Sequence, residues 1–154
     1  MTNVLHRDDN HTAIQGNNAY LAIKSMTLAG ATVNDPGDFN GTGNPATLFT
    51  VTGDVLISVF ATCSVALVGA GATIEVGVTG DTANFIAQTT ASDIGIAEVW
   101  IDNAPANKEY FPTESIISGT DIIQTVGTAN ITAGKLAYYA LWRPLSSGAS
   151  VVAA

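Results

Sequence analysis

The stretch VLISVFATCSVALV, residues 55–68, decides the fold. Its odd-numbered positions from 55 to 65 are Val, Ile, Val, Ala, Cys and Val, whereas its even-numbered positions mix Leu and Phe with Ser and Thr. Successive side chains of a β-strand point to opposite faces, so this alternation predicts a long strand with one face in a core. Cys63 has the parity of the core positions, and we expect a buried, unreactive thiol there.

The same alternation extends along the chain on both sides of this strand. Ile74, Val76 and Val78 alternate with polar or small residues, which is typical of a sheet with one face in water. Turn residues separate the apolar segments at intervals of about 8–12 residues, and no segment carries the apolar stripe of a helix. The candidate strands are 20–28, 48–52, 55–68, 73–79, 85–89, 98–101, 113–117, 121–126 and 136–143.

This pattern predicts an all-β protein, an antiparallel β-sandwich of about eight strands with a jelly-roll-like topology. A chain of 154 residues buries enough surface for one core. The first 18 residues are polar and contain both histidines, so we expect a flexible N-terminal arm over 1–18 and a single β-sandwich domain over 19–154. The segment NDPGDFNGTGNP, residues 34–45, predicts a loop or a series of turns.

The charge composition indicates a protein that associates with other subunits. Charged residues make up 12% of the chain, against about 25% in an average soluble protein. A weakly charged exterior resists association poorly, so we expect part of it to face other chains. The formal net charge is −8, and the basic residues are scattered at Arg7, Lys24, Lys108, Lys135 and Arg143. Nucleic acid is therefore not an expected partner, because phosphate binding needs a concentrated basic face.

No segment predicts secretion, membrane insertion or a disulfide. Residues 1–10, MTNVLHRDDN, lack the apolar region of a signal peptide, and polar residues and glycine interrupt the apolar run 55–72. Cys63 is the only cysteine of the chain, which excludes an internal disulfide. We expect no association with a membrane.

No residue pattern predicts catalysis, so we expect a protein that is not an enzyme, with no catalytic, cofactor-binding or metal site. His6 and His11 are the only imidazoles, and both lie in the arm, where nothing would hold a general base in place. They also lack the further ligands of a zinc site. The glycine-bearing motifs of serine hydrolases, phosphate-binding loops and dinucleotide-binding folds are missing.

The loop 34–45 leaves one alternative open. Asn34, Asp35, Asp38 and Asn40 offer the hard oxygen ligands that Ca²⁺ prefers, although their spacing differs from that of an EF-hand. Asp and Asn also form turns without any metal, and this interpretation explains the same four residues.

The tryptophans leave a second alternative open. Trp100 and Trp142 could form a platform on which sugar rings stack, but both lie in predicted strands among apolar neighbours. Tyr138 and Trp142 share a face by their parity, and packing in a core or an interface accounts for them.

Four stretches in the C-terminal two-thirds of the chain carry a family resemblance. They are LFTVTGDVLISVF (48–60), IEVGVTGDTANFIAQTTASDI (74–94), AEVW (97–100) and DIIQTVGTANITAGKLAYYALWRPLSS (121–147). These stretches resemble small proteins encoded among the virion structural genes of tailed bacteriophages. The best-defined element is the closing segment with Trp142, Arg143, Pro144 and Leu145, whereas residues 1–46 match least well.

The resemblance implies a virion component, most like a capsid decoration or cement protein. Such proteins are small, β-rich and commonly trimeric, and they bind the outside of the phage head. It therefore implies a homotrimer that is made in the host cytoplasm, binds the major capsid protein and stabilises the capsid exterior. A tail or head-tail connector subunit and a glycan- or receptor-binding β-sandwich module are the alternatives that the same fold would serve.

Overall fold

The computed structural model describes residues 6–7, 13–14, 19–106 and 112–154. Within these ranges the chain forms twelve β-strands and a 3-10 helix at Ala91–Asp93. The strands are β1 (His6–Arg7), β2 (Ala13–Ile14), β3 (Tyr20–Thr27), β4 (Ala46–Thr52), β5 (Asp54–Val68), β6 (Thr73–Val78), β7 (Asp81–Thr90), β8 (Val99–Trp100), β9 (Ser115–Ser118), β10 (Ile122–Gly127), β11 (Ala133–Pro144) and β12 (Ser150–Ala153). The described residues contain no helix long and apolar enough to cross a membrane.

Ten of these strands build two antiparallel sheets of five strands each, which pack face to face. The first sheet has the order β3-β11-β5-β8, with β9 also paired to β5, and the second has the order β12-β4-β10-β6-β7. The chain passes from one sheet to the other at most connections, and only β6-β7 and β8-β9 are consecutive within a sheet. The orders β3-β11-β5-β8 and β4-β10-β6-β7 are those of an eight-stranded jelly roll. The predicted antiparallel sandwich is thereby confirmed.

The predicted number of about eight strands was wrong, because β9 and β12 extend the jelly roll to ten. β12 has only four residues and pairs with β4, and so short an apolar segment has no alternation to reveal it. In the region predicted as an arm, β1 and β2 pair with each other, with His6 opposite Ile14. The other residues of 1–18 lie outside the described residues. The prediction of a flexible arm concerns those residues and stays a prediction.

The long strand β5 confirms the parity prediction over most of its length. Val55, Ile57, Val59 and Ala61 are fully buried, and Cys63 is nearly so. Val65 was predicted on the same core face but is 49% exposed. The register of β11 against β5 shifts twice between Ala133 and Leu136. Each shift places one extra residue in β5, and the side chains that follow it point to the other face of the sheet. Two shifts in succession turn Val65 outward and return Leu67 to the core.

Two buried aromatic residues link the sheets through hydrogen bonds. The hydroxyl of Tyr138 on β11 donates to Oε1 of Gln124 on β10 at 2.5 Å, and Nε2 of Gln124 donates to the carbonyl of Pro36 at 3.0 Å. Nε1 of Trp100 on β8 donates to Oγ1 of Thr89 on β7 at 2.8 Å. Burial raises the pKa of Tyr138 well above its ordinary value of 10.0, so its hydroxyl keeps the proton that it donates. These bonds satisfy polar groups that water cannot reach.

Candidate functional site

The acidic residues of the loop 34–45 bond to the loop's own backbone, as turn-forming residues do. One carboxylate oxygen of Asp35 accepts hydrogen bonds from the backbone N–H groups of Ala31 and Thr32, at 2.9 and 2.8 Å. Asp38 is buried, and its carboxylate accepts from the backbone N–H of Asn40 at 3.3 Å. Among the described residues, no three His, Cys, Asp or Glu side chains are grouped so that they could hold a metal ion. The hydrogen bonds of Asp35 and Asp38 to nearby backbone N–H groups are those of turn-forming residues.

Two asparagines that the sequence did not single out anchor this loop, Asn44 to β10 of the second sheet and Asn130 to the connection between β10 and β11. The side-chain amide of Asn44 donates to the carbonyls of Phe39 and Val126, at 2.7 and 2.8 Å, and accepts from the backbone N–H of Val126 at 2.9 Å. Asn130 accepts from the backbone N–H of Phe39 and donates to the carbonyl of Gly30, both at 3.1 Å. These bonds join residues far apart in sequence, so local spacing carries no signal of them.

Trp100 and Cys63 are core residues. Trp100 is fully buried and packs edge-to-face against Tyr138, with ring centroids 6.4 Å apart. It is therefore excluded from any sugar-binding platform. The thiol of Cys63 lies 3.1 Å from the carbonyl of Val65 and 3.7 Å from that of Ile94. Burial raises the pKa of this thiol, which keeps it protonated and weakly nucleophilic.

Trp142 differs from Trp100 because it reaches the surface. It is half-buried near the end of β11 and stacks on Tyr20, with ring centroids 4.8 Å apart. It shares the inward parity of Tyr138 and packs against the edge of the core, as its predicted parity requires. Of the two tryptophans considered for a platform, Trp142 alone keeps an accessible ring. His6 lies in β1, and His11 lies outside the described residues.

The outward face of the first sheet carries a continuous apolar patch. Directly opposed residues of antiparallel strands lie on the same face, so the strand register shows which side chains are neighbours. Tyr139 on β11 is opposite Ile23 on one side and Phe60 on the other, and Leu141 is opposite Leu21 and Ser58. We call this patch the apolar face, and its members are Leu21, Ile23, Leu56, Ser58, Phe60, Ile116, Tyr139 and Leu141.

Three aliphatic side chains of the apolar face are strongly exposed. The exposed fractions of Leu21, Ile23 and Ile116 are 54%, 50% and 68%. At the centre of the face, the rings of Phe60 and Tyr139 stack with centroids 4.9 Å apart and an interplanar angle of 8°. Isolated exposed apolar residues are normal on soluble proteins, but a continuous group of this kind marks a site of interaction.

Charges lie at both ends of the apolar face, and one ion pair crosses it over β5, beside Leu56 and Ser58. Arg143 marks one end, where its guanidinium contacts the carboxylate of Glu114 at 3.2 Å, and Lys135 marks the other. Between these two basic residues, none of the described outward residues of β3, β11 and β5 is charged. Beside the ion pair, a groove of about 430 Å³ is lined by Ala19, Ser58, Pro112, Glu114, Leu141 and Arg143.

The outward face of the second sheet is mostly polar, with Ile123 opposite Thr47 as a buried apolar residue on it. Six threonines from four strands lie on it, namely Thr47, Thr50, Thr52, Thr73, Thr90 and Thr125. Glu75 is opposite Thr125, and Val152, which is 55% exposed, is opposite Thr50. We call this surface the threonine face. It matches the wet face that the alternation of residues 73–79 predicts.

Sequence reasoning missed the apolar face because it depends on register. Leu56 and Phe60 occupy the non-core parity of β5, where they alternate with serine and threonine and so form a mixed pattern. The sequence does contain a signal of this face, namely a second set of apolar residues at the outward parity of their strands, such as Ile23 in β3 and Tyr139 in β11. Only the pairing of β3, β11 and β5 shows that these sets are adjacent.

By fold and surface, this chain is a jelly-roll β-sandwich with one outward face suited to association. Comparisons with protein-family models, with curated proteins and with solved structures found no match.

Proposed function

We propose that this protein is a structural subunit of a virion: a capsid decoration or cement protein that binds the outside of a phage head as a homotrimer and stabilises it. The observation that carries this proposal is the apolar face, an uncharged, partly aromatic surface on a chain of formal net charge −8. Contiguous exposed apolar surface of this kind marks a site of association with another molecule. The resemblance of the stretches between residues 48 and 147 to phage virion proteins supports the virion setting.

The fold supports a mechanical role. The jelly roll holds its two sheets together through a continuous apolar core and through the hydrogen bonds of Tyr138 and Trp100. The loop 34–45 is fixed to the same body by Asn44 and Asn130. A body tied at so many points transmits force between the surfaces that it contacts, because packed interiors deform little.

Stabilisation of the capsid follows from binding linkage. A subunit that binds the finished shell, and not its dissociated or immature forms, lowers the free energy of the finished shell by RT ln(1 + [L]/Kd) for each occupied site. Many copies bind to one shell, so a modest affinity for each copy gives a large total effect. The partners in this proposal are the protein itself and the major capsid protein, on the capsid exterior.

Cryo-electron microscopy of virus particles that carry this protein tests the proposal. We expect trimeric density on the outer surface of the shell, at threefold or quasi-threefold positions. Density in sixfold or twelvefold rings at the neck or tail would replace decoration by the connector or tail role. Particles without any density for this protein would overturn a virion role altogether.

A binding experiment provides the complementary test. Purified protein is mixed with capsids that lack it, and the amount that cosediments is measured together with the temperature at which the capsids break. We expect saturable binding and a higher breaking temperature. Saturable binding to a glycan array through Trp142, without binding to capsids, would favour the receptor-binding alternative.

A further inference from the structure

We infer that the open side of strand β3 is a docking site for an extended peptide segment, which adds to the first sheet as a further strand. The occupant is a segment of another protein, and in the proposed function it is an exposed segment of the major capsid protein. The inference rests on the proposed function for the identity of this partner. It adds the mode of binding and the residues that perform it.

β3 differs from the other described strands at the borders of the two sheets. Proteins protect such borders with short strands, bulges or charges, because an unpaired strand edge is a template for another chain. β8 has two residues, β9 and β12 have four each, and the register of β7 against β6 shifts twice. β3 has eight residues and pairs with β11 in one continuous register. Among these border strands, β3 therefore offers the long and regular edge.

The backbone of β3 presents alternate residues to this open edge. The N–H of Leu28 donates to the carbonyl of Gly134 at 3.0 Å, in the same register that places Met26 opposite Leu136. Hydrogen-bonded and non-hydrogen-bonded pairs alternate along antiparallel strands, so the even-numbered residues of β3 bond to β11. The residues that direct their N–H and C=O groups to the open side are Leu21, Ile23, Ser25 and Thr27. In the described part of the chain, these groups have no backbone partner on that side.

A row of unpaired backbone groups is complementary to another extended backbone. Four residues with one donor and one acceptor each can form about eight hydrogen bonds with an added strand. The outward side chains of that strand would lie beside Leu21 and Ile23, which are 54% and 50% exposed. Apolar residues at alternate positions of the added strand would therefore widen the apolar face. In this mode of recognition, main-chain bonds supply affinity and alternate side chains supply specificity.

Lys24 argues against a second copy of β3 as the occupant. Lys24 is opposite Tyr138, which is fully buried, so its side chain lies on the inner side of the sheet. Its ammonium group donates to the carbonyl of Ala154. Two β3 strands joined edge to edge at their centres would bring two such ammonium groups together, and inward charges of this kind oppose the pairing of sheet edges. A strand of another protein with an uncharged or acidic residue at that position avoids the repulsion.

The test compares two substitutions of Ser25, whose exposed polar side chain is not a member of the apolar face. Ser25→Pro removes the N–H group that faces the open edge and places a ring there, whereas Ser25→Ala keeps the N–H group. Proline is tolerated in edge strands where the N–H faces solvent, so we expect both variants to fold, as circular dichroism and thermal unfolding will check.

Ala153→Pro is a second control, at the open edge of the short strand β12. The N–H of Ala154 donates to the carbonyl of Leu48, in the register that places Ala153 opposite Phe49. By the same alternation, the N–H of Ala153 faces away from β4. Ala153→Pro therefore removes an equivalent N–H group from a different edge, and it shows any general effect of proline on binding.

Cosedimentation with capsids that lack the protein gives the dissociation constant of each variant. We expect Ser25→Pro to raise this constant roughly 10-fold or more, and the two controls to change it by less than about 3-fold. Equal binding by Ser25→Pro and Ser25→Ala overturns strand addition at β3 and leaves the decoration role standing, and so does a loss of binding with Ala153→Pro alone. Failure of the unchanged protein to bind capsids overturns both.

Hydrogen exchange of the unchanged protein tests the inference without any substitution, and it decides the matter if Ser25→Pro does not fold. In the free protein, we expect the N–H groups of Ile23 and Ser25 to exchange faster than those of Ala22 and Lys24, which bond to β11. Exchange in the capsid complex, followed by quenching, release and nuclear magnetic resonance, measures the same groups when bound. We expect exchange at Ile23 and Ser25 to slow roughly 10-fold or more. A contact through side chains alone leaves these two groups fast, and that result contradicts strand addition.

Discussion

The two sheets of the sandwich are alike inside and different outside. On their inner faces both carry fully buried aliphatic residues, such as Ile57 in the first sheet and Ile74 in the second. On their outer faces, the first sheet presents leucine, isoleucine and aromatic rings, and the second presents six threonines. The inner faces form one shared core and so determine the fold. The outer faces are free of that requirement, and their difference supports the proposal that the first sheet is the side that contacts other molecules.

A sheet of this protein can form without apolar residues on its outer face. Threonine is β-branched and favours strands, so it satisfies the backbone, and the exposed Thr50, Thr52 and Thr90 present their hydroxyls to water. The threonine face shows that this chain can build a solvated outer sheet in that way. Leucine and phenylalanine at equivalent outward positions, such as Leu21 and Phe60, add apolar exposure that the sheet itself does not need. The excess apolar surface is therefore best explained by association.

The largest effect is expected from a substitution in the core that the two sheets share. Trp100→Ala removes a fully buried ring that spans the two sheets and leaves Thr89 without its donor. We expect a loss of about 3–5 kcal/mol in the free energy of unfolding, measured by urea denaturation. A loss below about 1 kcal/mol would show that the two sheets do not depend on one core.

A second prediction compares adjacent tyrosines on opposite faces of β11. Tyr138→Phe removes the hydroxyl that bonds to Gln124 and leaves a buried acceptor unsatisfied, so we expect a loss of about 1–3 kcal/mol in unfolding free energy. Tyr139→Phe changes the next residue, on the apolar face, and we expect it to stay within about 0.5 kcal/mol of the unchanged protein. Equal effects of the two substitutions would contradict the assignment of inner and outer faces.

The pH dependence of stability sharpens the same contrast. Because the pKa of Tyr138 is raised in the folded state, the unfolded chain loses this proton first, near its ordinary value of 10.0. The contribution of Tyr138 is therefore fully present below about pH 10 and is lost as the pH rises toward the folded pKa. We expect a decline of about 1.4 kcal/mol for each pH unit in that window, measured as the difference between the unchanged protein and Tyr138→Phe. A difference that stays constant to pH 11 would refute the raised pKa.

The smallest expected effect is a gain in stability, and it comes from a substitution on the threonine face. The hydroxyl oxygen of Thr125 is buried and has no hydrogen-bond partner among the described residues. Thr125→Val keeps the side-chain shape and removes this group, so we expect thermal unfolding to report a gain of up to about 1 kcal/mol. Thr89→Val is the control inside the core, where Oγ1 accepts from Trp100 and lies 3.2 Å from the carbonyl of Asp102. We expect Thr89→Val to lower the free energy of unfolding. A gain in stability from both substitutions would contradict the distinction between the bonded hydroxyl of Thr89 and the unbonded hydroxyl of Thr125.

Alternation of residues predicts most of the inner architecture. Ile74, Val76 and the odd positions of β5 through Cys63 are buried as expected, since a period of two follows directly from strand geometry. The antiparallel sandwich also agrees with prediction, whereas its strand order could not be predicted, because different sandwich topologies produce similar alternation. Local pattern was sufficient wherever one strand alone determines which side is buried.

Features that depend on strand pairing were beyond the sequence. Val65 turns outward because the register between β5 and β11 shifts, and the alternation of β5 alone contains no sign of it. The apolar face likewise exists only because Ile23, Tyr139 and Phe60 are brought together from three strands. The turn interpretation of Asp35 could be predicted from residue type, whereas the anchoring of its loop by Asn44 requires the fold.

The pairing of β3 with β11 also determines when the apolar face forms during folding. Met26 pairs with Leu136, so the first strand of the jelly roll waits for nearly the whole chain before its partner is available. Structures dominated by such distant pairings fold slowly, because much of the chain must be ordered before they form. During synthesis, β3 and β5 therefore emerge well before the strand that joins them. The apolar face is therefore assembled only after β11 has been made, so any partner that requires the whole face would meet a nearly complete fold.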